Sequence, residues 1–114
     1  QMKKTLYEGW KPDEVILDQL EIEKQWLNRY PKELSGGELQ RFCVARALGE
    51  KTRFLIADEM TTMLDAITQA KIWQVVISVA QQRDIGIVVI SHDEKLLEHL
   101  CFRVIEMNSL ICTV

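Results

Sequence analysis

The sequence predicts an α/β fold, and three observations carry the prediction. Two short apolar runs, "RFLIADE" and "IGIVVISHD", each end in polar residues, as buried strands do where they leave a sheet. Between them, residues 66–83 carry apolar side chains stepping by three or four, the period of a helix. Before them, residues 1–50 contain helix patterns and no strand pattern. The chain therefore divides into a helical subdomain, 1–50, and a strand-bearing part, 51–114.

Taken in order, residues 1–12 have no clear period. Pro12-Asp13 opens a helix to about Leu20, with Val15, Ile16, Leu17 and Leu20 on its apolar side. Residues 21–34 are charged and are broken by Pro31, which pushes Tyr30 towards an extended backbone. A second helix runs from about Gly37 to Leu48 and stops at Gly49. Cys43 within it reads as core. The strand from Arg53 follows, then the long helix 66–83 with Ala66, Ala70, Trp73, Ile77 and Ala80 on its inner face. The strand up to Asp93 has apolar residues on both faces, as in a parallel sheet covered on each side. Residues 94–100 form a short helix with His99 at its surface. "FRVIEM" and "LICTV", split by Asn108-Ser109, read as a terminal hairpin. A strand–helix–strand–helix order implies parallel strands joined by crossovers.

Composition narrows the classes of function. The chain has 114 residues and a formal net charge of −3, so there is no broad positive field for nucleic acid. Cys43, Cys101 and Cys112 form no CxxC pair, and reduced thiols in a cytosolic setting are expected. No apolar run approaches the ~20 residues that span a membrane, and no signal peptide follows Lys3-Lys4, so any membrane role is peripheral.

Three short stretches carry candidate chemistry. Asp58-Glu59 stands at the C-terminal end of an apolar strand, the edge where ligands gather in open α/β sheets. Adjacent strand residues face opposite ways. One carboxylate can face Mg²⁺ and the other a water nucleophile, or the pair is simply a solvated strand end. Ser91-His92-Asp93 ends the next strand; His92 can meet a phosphate oxygen or orient a water, or cap a helix. "SGGE" matches a capping box, with Ser35 at the helix start and Glu38 reaching back. A capping box has no need of Gly36-Gly37. Two glycines suit close approach of an anion to the N–H groups at a positive helix end.

The stretches "LSGGELQR", "FLIADE", "TTMLD" and "ISHD" occur in that order. Together they resemble the nucleotide-binding domain of ABC ATPases, over about residues 28–107. "NRYPKELSGGELQRFCVARAL" and "LIADEMTTMLDAITQAKIW" look most like the ATPase subunits of peptide or nickel importers. The resemblance implies a partial P-loop ATPase core behind a helical signature subdomain. Leu34, Ser35, Gly36, Gly37 and Glu38 match the signature, which in the family contacts the γ-phosphate of ATP held by the opposite subunit. Asp58 matches the Walker B carboxylate that helps hold Mg²⁺. Glu59 matches the general base, His92 the switch histidine and Asp65 the D-loop. Implied partners are ATP with Mg²⁺, a second ATPase subunit in a head-to-tail dimer, and membrane-spanning permease subunits. The implied location is cytoplasmic, at the inner membrane face.

There are departures. Met60 and Met63 replace the family's usual proline and small residue, which leaves the loop after Glu59 less restrained. No GxxxxGK[ST] occurs among the 114 residues. The strand that carries this loop in the family is thus expected to be absent, leaving an open apolar sheet edge, and turnover by this chain alone is not expected. Two other readings remain: a non-catalytic module that binds a full subunit, and a soluble ABC ATPase outside transport.

Overall fold

A computed structural model describes residues 13–101 and 103–107. Helix α1 covers Glu14–Gln19, with the Asp13 carboxylate accepting the Val15 N–H at 2.9 Å. Ile16, Leu17 and Leu20 are buried, whereas Val15 is exposed, contrary to expectation. At 100° per residue, Val15 points away from the side shared by the other three. The charged stretch that follows forms two 3₁₀ turns, Lys24–Asn28 and Pro31–Glu33. It is anchored by buried Ile22, Trp26 and Leu34. The Trp26 and Phe42 rings meet at a 6.5 Å centroid distance, tilted by 57°.

Helix α2 covers Gly36–Ala47, β1 Phe54–Asp58, α3 Ala66–Arg83, β2 Gly86–Ile90 and α4 Glu94–Leu100. Cys43 is exposed rather than core, because it sits across the α2 axis from buried Val44, Ala45 and Leu48. The buried stripe of α3 is Ile72, Trp73, Val76, Val79 and Ala80. Ala66 and Ala70 face solvent and Ile77 is half-buried, so the true stripe is turned by about one residue position from the expected one. Apolar residues on several sides of α3 leave its rotation to be set by what packs on it.

β1 and β2 pair in parallel with Phe54 opposite Gly86 and Asp58 opposite Ile90. Leu55 and Ala57 are buried, and Ile87 and Val89 are half-buried. The other face is open: Phe54 is 80% exposed, Ile56 69%, Val88 57% and Ile90 47%. The expectation of a sheet covered on both sides is therefore corrected. The core cluster of α1, α2, β1 and α3 residues lies against one face, and among the described residues the opposite face has no cover. Residues 103–106 form no strand, so the first arm of the expected hairpin is not formed. They find no ladder partner among the described residues, and an unpaired strand has nothing to hold it. The second arm, 110–114, lies outside the described residues, as do Lys3-Lys4 and Cys112.

Candidate functional site

The parallel pairing brings the C-terminal ends of β1 and β2 side by side. The Glu59 N–H extends the ladder by donating to the Ile90 carbonyl at 2.9 Å. Glu59 then takes a left-handed backbone with φ of 50°, uncommon for a residue with a side chain. The chain turns sharply there. Its carboxylate comes to 3.6 Å from Nε2 of His92, an ion-pair distance when the imidazole is protonated. His92 is otherwise fully exposed. Asp58, the last residue of β1, has an exposed side chain. The structure thus brings together Asp58, Glu59 and His92, which the sequence places 34 positions apart at its widest.

The loop from Glu59 to Asp65 is held by hydrogen bonds that sequence reading did not find. Thr61 is a polar residue only 2% exposed. Its hydroxyl donates to Oε1 of Gln69 at 2.8 Å and accepts the indole N–H of Trp73 at 3.1 Å. Gln69 and Trp73 lie four residues apart on one face of α3, a spacing that could have signalled a shared partner. Thr62 donates through its hydroxyl to the Glu59 carbonyl at 3.1 Å. From the other side, the Gln40 side-chain amide of α2 donates to the Met60 carbonyl. Asp65 closes the loop as the N-cap of α3, accepting from the Thr68 N–H at 2.8 Å and its hydroxyl at 2.9 Å. Those bonds, the N–H first, hold the Asp65 carboxyl below its ordinary value. A cleft of about 200 Å³ opens beside this loop, lined by Glu59, Thr61, Trp73, Val89, Ser91 and Asp93 among others.

The capping box at α2 is complete. Ser35 Oγ accepts the Glu38 N–H at 3.2 Å, and the Glu38 carboxylate accepts the Ser35 N–H at 3.0 Å. Leu34 is buried beneath it and Ser35 is exposed. The two glycines have an intramolecular neighbour. A Cβ on Gly36 would stand 3.1 Å from the Met63 terminal methyl, and one on Gly37 3.2 Å from a Leu64 methyl. The start of α2 therefore packs on the loop that leads to Asp65, which the anion reading of the glycines had not anticipated.

Residues 8–62 match the family model described as ABC transporter. Over that stretch the chain is similar to the ABC transporter family. Relatives named as transport ATP-binding proteins extend over most of its length. A probable peptide ABC transporter ATP-binding protein of Sinorhizobium fredii is 38% identical over 81% of the chain. The nickel import ATP-binding protein of Escherichia coli is 36% identical over 82%. The oligopeptide transport ATP-binding protein of Mycoplasma genitalium is 33% identical over 94%. The chain spans 26%, 35% and 12% of those ATP-binding proteins respectively. Among the described residues, no helix is long and apolar enough to cross a membrane.

Proposed function

We propose that this chain forms part of an ATP-binding subunit of a peptide- or nickel-class importer, coupling ATP hydrolysis to solute import. The observation that carries the reading is the meeting of Glu59 and His92 across two strand ends, 3.6 Å apart, beside an exposed Asp58. It is supported by relatives named as peptide, oligopeptide and nickel transport ATP-binding proteins.

In this reading Glu59 takes a proton from the attacking water, and its left-handed backbone fixes the direction in which the carboxylate leaves the strand. His92 meets the γ-phosphate from the neighbouring strand end. Asp58 helps to hold Mg²⁺. Among the described residues no group of three or more His, Cys, Asp or Glu forms a metal cage. That suits an ion ligated mostly by phosphate oxygens and water, with one or two carboxylates. When bound, Mg²⁺ neutralises charge on the β- and γ-phosphates. Ser35 and the free N–H groups at the start of α2, with Leu34, Gly36, Gly37 and Glu38 shaping that turn, face ATP held by a second subunit in a head-to-tail dimer. Asp65 lies at the contact between subunits, and permease subunits complete the assembly at the inner membrane face. The 114 residues contain no GxxxxGK[ST], so other sequence supplies the phosphate-binding lysine, and the 114 residues alone turn over no ATP.

Glu59→Gln in the assembled transporter tests the reading. Turnover should fall by roughly 10²–10⁴-fold with ATP still bound. Retained turnover, or Glu59-dependent hydrolysis by the 114-residue chain alone, would refute it.

A further inference from the structure

We propose that Gln40 is a positioning residue for Glu59, linking the start of α2 to the base-bearing loop of the same chain. The inference rests on the reading of Glu59 as the base.

Three contacts join α2 to this loop. Gly36 and Gly37 leave room for Met63 and Leu64. One turn further along α2, Gln40 is half-buried and donates to the Met60 carbonyl. That carbonyl belongs to the residue next to Glu59, where φ of 50° has to be maintained against an intrinsic preference for negative values. On the far side, Thr61 is locked to α3 through Gln69 and Trp73. The Met60–Thr61 peptide, the second after the Glu59 Cα, is therefore gripped from both sides. The α3 grip lies inside the core and is fixed. The α2 grip lies on the helix whose first turn carries Ser35. A shift of that first turn, such as engagement by a phosphate of the opposite subunit, moves Gln40 with it, because a helix transmits displacement along its axis. The Met60 carbonyl follows, and with it the direction of the Glu59 carboxylate. Gln40 touches neither substrate nor water; it acts through Met60.

Gln40→Met keeps the length of the side chain and removes the donor. Hydrogen exchange of the Thr62 and Leu64 amides, followed by mass spectrometry in the full chain, should speed up about fivefold, with the α3 interior unchanged. In the assembled transporter, kcat should fall about tenfold at unchanged KM for ATP. Gln40→Lys, which restores a donor of similar reach, should recover most of it. If Gln40→Met lowers the Tm of the whole molecule, Gln40→Glu keeps the shape while replacing donor with acceptor, and the same readouts apply. Unchanged loop exchange overturns the tether. Faster exchange with unchanged kcat overturns the positioning role. Turnover that survives Glu59→Gln would instead bring down the reading of function, and the exchange measurement would still decide the tether.

Discussion

The loops that leave the two strands differ in how they are held. After β1, residues 59–65 are tied to α2 through Gln40 and to α3 through Thr61. After β2, Ser91 and Asp93 are held by local bonds, Asp93 N–H to Ser91 Oγ at 3.0 Å and Leu96 N–H to the Asp93 carboxylate at 3.1 Å. His92 between them is fully exposed. One strand end is fixed by distant parts of the chain, the other by its immediate neighbours. A general base must sit within a narrow range of positions relative to its proton. A histidine that meets a phosphate on arrival gains from being able to swing. With Glu59 as the proposed base and His92 as the proposed phosphate contact, the two loops suit those different tasks.

Removing the Thr61 hydroxyl should erase most of this contrast and give the largest effect. Thr61→Val is nearly isosteric, leaves no cavity, and strands the buried Trp73 N–H. A loss of about 1–3 kcal/mol is expected in urea denaturation. An unchanged midpoint would mean that the first loop is no better held than the second. Ser35→Ala opens the capping box at the start of α2 and should cost about 1 kcal/mol by the same measurement. Asp13→Asn comes next. Partial burial alone would raise the Asp13 carboxyl, but the Arg83 hydrogen bond, the N–H groups of Val15 and Ile16 and the Arg83 charge outweigh it and hold it low. A carboxyl lowered in the folded state stabilises above its unfolded value, and that gain is lost as pH falls through the folded value. Both partners of the Asp13–Arg83 pair stay about a third exposed, so wild type should exceed Asp13→Asn by no more than about 1 kcal/mol at neutral pH. The two curves should converge below the ordinary carboxylate range. A gap that persists in acid would remove the ion pair as its cause. His92→Ala should be the smallest, within about 0.5 kcal/mol, because the side chain is fully exposed and its ion-pair contact is with the Glu59 carboxylate at 3.6 Å. A larger loss would show that the second loop is not free.

Much of the fold was legible in the residues. The 66–83 helix matches α3 end to end, and α2 and both strands fall within three residues of their expected limits. The capping box formed as the S-x-x-E spacing implied. Local features of this kind need only neighbouring residues. What was missed depends on packing partners. Val15 and Cys43 look apolar enough for a core, and only the placement of a neighbouring element decides which side of a helix is inside. "FLIA" and "IVVI" are apolar at every position, which is the pattern of a strand covered twice. Among the described residues the structure covers them once. The site was read from Asp58, Glu59, Asp65, His92 and the signature residues. Its supports, Gln40 to Met60 across 20 positions and Trp73 to Thr61 across 12, join residues distant in sequence and have no local pattern.

The Arg83 guanidinium bonds Asp13 at 2.6 Å and the Leu48 carbonyl at 3.0 Å, so the end of α3 clasps the start of α1 and the end of α2. Asp13 and Arg83 are 70 residues apart. On a ribosome adding about 5–20 residues per second, Asp13 waits roughly 4–14 seconds for its partner. Ile16, Leu17 and Leu20 spend that time without the complete core cluster that they join. The nascent chain thus carries an unfinished apolar helix until residue 83 is added, and the clasp can form only after the last turn of α3 emerges.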